Sequence, residues 1–406
     1  MAVRYLRSRG CSALIGFVCV LVAWRSANAV QRTWIGGNVD WVDGAYRGIG
    51  VPKSTPDTPF KLMTFDVAGT DHVGMVLGTR VVDLDGAARH VAAQFRLEAM
   101  PMPRDMKGLI ERYDTLKPRL YQVANYFAQR TTAGLPFAYD VSAVKVRAPI
   151  KYPWNLMAAS ANYKAHAQGM GEAGAGQGAA PPAAGARPAA GFDASAADRI
   201  VPDRDAPIMF AKSPRSCIID PGEPFYIVDG RGRTDYEGEL AVIMGPTPAY
   251  RVPRERAMDY VFGYSIMHDL SDRGSDRLRE VTMFPGTNWF DGKSIDRAAP
   301  FGPVIVPKEF MPKVPSDLRI TTKVNGTLVQ DSRTSNLIWS EAHLIAFITS
   351  RMTLYPGDVI STGTPSGTGM ERQTFLKPGD VVEIEVEGIG VLRTPFKALS
   401  EKPAGQ

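Results

Sequence analysis

From residue 208 onward the chain is a series of short apolar segments cut by Pro and Gly at close intervals, and that punctuation points to β-structure. Ile320 to Val324 and Thr327 to Gln330 flank Asn325-Gly326, a pair suited to closing a two-residue hairpin. The stretch from Leu376 through Pro378-Gly379-Asp380 into Val381-Val-Glu-Ile-Glu-Val follows the same logic. One convincing helix interrupts the series, with Ser340 as N-cap and Leu344, Ile345, Phe347, Ile348 and Met352 on one face. Upstream, Phe60 to Leu84 reads as a small antiparallel sheet and Met106 to Gln129 as one or two helices packed on it. The expected class is therefore α+β, mostly β. An irregular lead-in over 30–57 precedes a small N-terminal α+β domain over 58–145 and a main domain over 146–400.

The first residues have a targeting pattern. Arg4, Arg7 and Arg9 precede an apolar run from Ala13 to Trp24, which ends at Ala27-Asn28-Ala29. The expectation is a signal peptide over 1–29 and export, to a periplasm or out of the cell; the apolar run is too short to favour a stable membrane anchor. Removing that segment takes away four arginines and no acids, so 47 basic residues become 43 against 42 acidic ones, a net charge of +1. No basic excess remains to ask for nucleic acid. Cys11 and Cys19 leave with the peptide, and Cys217 alone cannot form an internal disulfide.

The segment Tyr236-Glu237-Gly238-Glu239 leads into the β-branched, apolar run Leu240 to Met244, which stops at Gly245-Pro246. Period-two alternation puts Glu237 and Glu239 on one face of that strand. A second strand, Phe262 to His268, delivers Asp269 at its end. On a half-exposed sheet such a Glu-x-Glu pair is commonly the solvent face. At the head of a buried strand, two like charges call for a cation between them. Three converging carboxylates suit Mg²⁺, Mn²⁺ or Ca²⁺ rather than zinc.

Other residues that could carry chemistry lie nearby in sequence or beside a compositional break. His166 follows Ser160-Ala-Asn-Tyr-Lys-Ala and borders Gly171 to Ala197, which is nearly all Gly, Ala and Pro. The expectation is a mobile low-complexity insertion over 171–200, with His166 as either a general base or a structural histidine. Arg273 lies four residues after Asp269; if a helical turn follows the strand, both project the same way and the guanidinium can hold a substrate carboxylate. Otherwise it belongs to the charge cluster 272–276. Lys293 reads as a surface lysine or a site lysine. The loop Ser361-Thr-Gly-Thr364-Pro-Ser-Gly-Thr-Gly369 could cradle an anion on its amides, but it lacks the Gly-Lys-Ser/Thr ending of a phosphate loop.

The ordered set Phe210-Ala-Lys212-Ser-Pro, Pro221-Gly222, Asp235-Tyr-Glu237-Gly-Glu239-Leu, Gly263-Tyr264 to Asp269, Gly292-Lys293-Ser, Val324-Asn-Gly326, Pro356-Gly-Asp to Gly363-Thr364-Pro, and Pro378-Gly-Asp380 resembles the fumarylacetoacetate hydrolase superfamily over roughly 205–397. The resemblance implies a mixed β-sandwich roll and a homodimer. It implies a divalent ion held by Glu237, Glu239 and Asp269, and substrate contacts from Arg273, Lys293 and Thr364. Substrates would be 2-oxo or 1,3-dioxo acids chelating the ion, with developing enolate charge stabilised by it. His166 and Lys293 would serve catalysis.

One position departs from the pattern. Relatives in the compact branch place a glutamate three residues after the histidine, and here that place is Gly169; Glu172 stands three further on. The imidazole then lacks a carboxylate to set its tautomer. The leading expectation is hydrolysis of a carbon-carbon bond in an acylpyruvate-like acid. A lyase, decarboxylase or tautomerase on the same substrates is the second, favoured by the missing glutamate, and an exported non-catalytic oxo-acid-binding protein is the third.

Overall fold

A computed structural model describes residues 39–42, 45–48, 50–176, 195–274, 289–311 and 317–403. The targeting segment and most of the low-complexity stretch lie outside them. The chain begins its main sheet with β1 (Lys61–Val67), β2 (Thr70–Leu77) and β3 (Arg80–Asp83). Helix α1 (Leu84–Phe95) follows at once. The sequence reading ended a strand at Leu84 and passed over this helix. Its signals are Asp83, whose side chain accepts the Gly86 N–H, and buried Leu84, Ala87, Ala88, Val91 and Ala92 at helical spacing. Helices α2 (Met106–Glu111) and α3 (Tyr113–Phe127) form where apolar periodicity places them.

Strands β4 (Ala138–Asp140), β5 (Lys145–Arg147) and β6 (Leu156–Ser160) lead to helix α4 (Lys164–Gly176). Composition argues against order beyond Gly171, yet the backbone stays helical to Gly176. The anchor lies in the first turns, where His166 and Ala167 are buried, and tertiary packing overrides weak local propensity. Beyond it come β7 (Ile208–Ala211), β8 (Phe225–Ile227), β9 (Thr234–Asp235), β10 (Gly238–Met244), β11 (Val261–His268) and β12 (Ser271–Asp272). The last elements are α5 (Trp289–Lys293), β13 (Ala299–Pro307), β14 (Arg319–Val324), β15 (Thr327–Arg333), α6 (Glu341–Thr349), β16 (Val359–Ser361), α7 (Gly369–Arg372), β17 (Val381–Val386) and β18 (Gly390–Ala398). Asn325 and Gly326 both have positive φ, as the β14–β15 hairpin turn requires.

The large sheet runs β4-β3-β2-β1-β13-β11-β10-β16-β6-β7, so strands from 58–145 continue into it through β1 and β13. Most neighbours are antiparallel, while β16 and β6 are parallel. A five-stranded sheet, β8-β18-β17-β14-β15, covers one face. Leu240 and Val242 of β10 enter that core with Ile320, Ile384 and Phe396. Ala241 and Ile243 enter the opposite core with Leu109, Leu116 and Val123 of the N-terminal helices. Because both faces are covered, β10 is buried along its whole length, which is why its sequence is continuously apolar after the two glutamates. The fold is α+β, mostly β, a mixed β-sandwich.

Candidate functional site

Strands β10 and β11 pair with Gly238 opposite His268, and one step further the Asp269 N–H donates to the Glu237 carbonyl at 3.0 Å. That register places Glu237 and Asp269 side by side at the strand ends, with Glu239 from β10 beside them. One oxygen from each of the three buried carboxylates lies within 4.8 Å of the others.

Cations line up on two of the three acids. Lys293, the last residue of α5, donates to Glu237 Oε2 at 2.6 Å and Asp269 Oδ2 at 2.7 Å. Lys212, just after β7, donates to Asp269 Oδ1 at 2.6 Å and is itself fully enclosed. Arg273 bonds Glu237 Oε1 and reaches Asp235 Oδ2 at 2.9 Å. Glu239 is treated differently: its Oε2 accepts from Ser361 Oγ at 2.6 Å and from the Gly363 N–H at 2.8 Å, and its Oε1 is buried without a hydrogen-bond partner.

The electrostatics follow from that asymmetry. Burial pushes Glu237 up, but the charges of Lys293 and Arg273 outweigh it and hold the carboxyl well below its ordinary range. Glu239 is raised well above the ordinary value, by burial first and then by the negative charges of Asp269 and Glu237. Burial depresses Lys293, yet Asp269 and Glu237 raise it overall. A buried carboxylate with one orphaned oxygen, flanked by two more hard oxygen donors, fits a divalent ion of the Mg²⁺, Mn²⁺ or Ca²⁺ type.

His166, Arg273, Lys293, Thr364, Glu237 and Glu239 line one cavity of about 580 Å³. Several details differ from the sequence reading. Arg273 follows the short strand β12, not a helical turn; extended alternation through 269, 271 and 273 brings both Asp269 and Arg273 to the cluster. Thr364 is at the cavity, but its hydroxyl already donates to the Gly238 carbonyl at 3.0 Å and accepts from Gln330 Nε2 at 2.9 Å. The Gly/Thr loop does cradle anions, and they are the protein's own: Gly363 holds Glu239, Gly367 and Thr368 hold Glu371, and Gly369 and Met370 hold Asp235. Gly363 has φ of +100°, and a Cβ there would meet Asn162 Cβ at 2.7 Å, so the loop's close approach needs glycine.

The largest correction concerns His166. It is buried in the first turn of α4, and its Nδ1 lies 2.5 Å from Glu371 Oε1, contributed by α7 at the far end of the chain. A Cβ on Gly169 would sit 3.0 Å from the Glu371 carboxyl carbon. The place of the expected glutamate at 169 is therefore filled by a carboxylate from elsewhere. One local signal existed: Thr368-Gly-Met-Glu371 is a capping box, which marks Glu371 but assigns it to capping. Glu371 does both, with Oε2 on the Gly367 and Thr368 amides and Oε1 on His166. Lys212, Asp235 and Ser361 also went unassigned.

A mixed β-sandwich with buried acids at its strand ends, facing one cavity beside a histidine–carboxylate pair, defines the class. The comparisons agree. The model of the fumarylacetoacetate hydrolase C-terminal domain matches residues 155–397. Oxaloacetate tautomerase YisK of Bacillus subtilis is 32% identical over 340 residues, which covers 82% of this chain and 98% of the relative. The solved fumarylacetoacetate hydrolase of Exiguobacterium antarcticum is 28% identical, with a TM-score of 0.57 over 84% of this chain and 99% of that one. A maleylpyruvate hydrolase from Sphingobium, solved with manganese(II) and pyruvate, shares the fold at a TM-score of 0.57 and 24% identity, over 83% of this chain and 99% of that one. The chain belongs to the fumarylacetoacetate hydrolase family, whose members here are named for hydrolase and tautomerase activities.

Proposed function

We propose that the protein is a divalent-metal-dependent enzyme acting on 2-oxo acids, in which His166, oriented by Glu371, moves a proton at the carbon beside the keto group. The observation that carries this reading is the 2.5 Å contact between Glu371 and Nδ1 of His166, which lines the same cavity as Glu237 and Glu239. A carboxylate can only accept, so Nδ1 carries the hydrogen and Nε2 is left as the basic nitrogen. An ion held by Glu237, Glu239 and Asp269 would supply Lewis acidity that stabilises enolate charge on the substrate. Arg273 offers a forked guanidinium to the substrate carboxylate, Lys293 a positive charge, and Thr364 part of the wall.

Keto-enol tautomerisation of a 2-oxo acid needs no more than that proton shuttle, and the full-length likeness to an oxaloacetate tautomerase supports it. A second reading is hydrolysis of a carbon-carbon bond in an acylpyruvate. It is favoured by Glu371 itself: with a carboxylate behind the imidazole, His166 can take a proton from water, which removes the objection raised by Gly169. Export, with cleavage after Ala29, and homodimer formation belong to the same proposal. Among the described residues no helix is long and apolar enough to cross a membrane.

The test follows enol-to-keto conversion of oxaloacetate, and release of pyruvate plus a free acid from an acylpyruvate, with Mg²⁺ or Mn²⁺ and with His166→Asn alongside. Loss of the first activity in the variant supports the tautomerase, and stoichiometric pyruvate supports the hydrolase. If the wild type binds ion and oxalate but catalyses neither, the enzyme reading falls and a binding protein is left.

A further inference from the structure

Asp235 is completely buried at the end of β9 and does not line the cavity, yet four donors converge on it. Its Oδ1 accepts from the backbone N–H of Tyr236 at 2.8 Å and of Gly369 at 2.6 Å. Its Oδ2 accepts from the Met370 N–H at 3.1 Å and from Arg273 Nε at 2.9 Å. Two of these donors open α7, the turn that presents Glu371 to His166. A third is the guanidinium at the cavity wall. A single side chain thus touches both the carboxylate-binding group and the support of the proton-transferring pair, and its acceptor capacity is full.

Resting on the reading above, we propose that Asp235 is a positioning residue that holds Arg273 and the His166–Glu371 pair in one fixed relation, so that gripping the substrate carboxylate and moving the proton share one support. The backbone does not depend on this side chain for its course. Strands β9 and β12 pair through Thr234 with Asp272 and Asp235 with Ser271, and the Arg273 N–H donates to the Arg233 carbonyl at 3.1 Å. Asp235→Asn keeps the shape but turns one acceptor into a donor facing other donors. Gly369→Ala perturbs the same contact from the other side: its Cβ would lie 2.7 Å from Asp235 Oδ1 and 2.5 Å from the Thr374 carbonyl, whereas Arg273 Nε bonds the other oxygen, Oδ2.

The experiment uses the full chain and two readouts. One is the downfield proton resonance of His166 Nδ1–H, assigned by its loss in Glu371→Gln. The other is Mg²⁺-dependent oxalate affinity by calorimetry, with turnover measured beside them. Asp235→Asn is expected to shift or erase the resonance, weaken oxalate severalfold, and lower kcat by roughly 10- to 100-fold, the usual loss for an outer support. Gly369→Ala is expected to disturb the resonance with oxalate affinity kept. A folded Asp235→Asn with both readouts like wild type overturns the proposal. If Asp235→Asn does not fold, an undisturbed resonance in Gly369→Ala overturns it instead. A wild type with no such resonance removes the His166–Glu371 pair, and with it both the reading and this proposal; a resonance that survives both variants removes this proposal alone.

Discussion

The two ends of the site are assembled in opposite ways. The charged end draws Glu237, Glu239, Asp269, Arg273 and Lys293 from one stretch of chain, and four of these five exchange direct ion pairs. The other end is one histidine and one glutamate separated by 205 residues. Burying like charges is costly, and the charged end offsets that cost with Lys212, Lys293 and Arg273, leaving Glu239 the one acid of the three with only uncharged donors. The histidine end carries no such load; what matters there is angle and tautomer. The first end should therefore respond to changes of charge, and the second to changes of orientation.

The largest effect is expected at the acid without a cation. Glu239→Gln keeps the acceptor for Ser361 and Gly363 but removes the charge, and should abolish both turnover and the thermal shift caused by Mg²⁺ or Mn²⁺. A variant that still responds to metal would break the distinction between Glu239 and its neighbours. Next comes His166→Asn, which should reduce kcat by about 10³-fold with metal affinity unchanged, as expected for a proton-transferring group. Metal titration by calorimetry separates the two.

Glu371→Gln should cost less, about 10²-fold in kcat, because the imidazole remains but loses its fixed tautomer. Adding Gly169→Glu to that variant should recover part of the loss, since a carboxylate would return to the same side of the ring. In the wild-type background Gly169→Glu should lower activity, because its Cβ meets the Glu371 carboxylate. Steady-state kinetics on the four proteins tests whether orientation alone is at stake.

The smallest effect is in stability. The folded-state pKa of Glu239 lies above its unfolded value, so the folded protein retains a proton that the unfolded chain gives up. Metal-free stability then falls as pH rises from the ordinary glutamate range through the raised value. An ion pairs with the ionised form and cancels that slope, so stabilisation by metal should grow with pH across the window. At a hundredfold excess over Kd it would reach about 2.7 kcal/mol. Thermal unfolding at several pH values checks the sign; stabilisation that shrinks with pH would contradict the raised Glu239.

Much of the charged end was legible because its residues are bound to local rules. Period-two alternation brought Glu237 and Glu239 together, and the run up to His268 placed Asp269, since a buried strand announces itself by an unbroken apolar sequence. The Asn325-Gly326 hairpin and the helix after Ser340 were legible for the same reason: turn and cap chemistry act over two to four residues. Helix α1 carried the same kind of signal at Asp83 and was passed over because Arg80 to Leu84 reads equally well as a strand. The order of α4 up to Gly176 was hidden, because packing of His166 and Ala167 outweighs a poor helical composition.

The sequence by itself thus determined the strand series, the three acids and their hard-oxygen character, because each rests on spacing along one or two adjacent strands. Only the tertiary structure decided which acids receive cations, that the Gly/Thr loop spends its amides on Asp235, Glu239 and Glu371, and that Glu371 stands where a glutamate at 169 was expected. Those outcomes depend on side chains from distant segments meeting in one buried place, and no local periodicity records a meeting between residues 166 and 371.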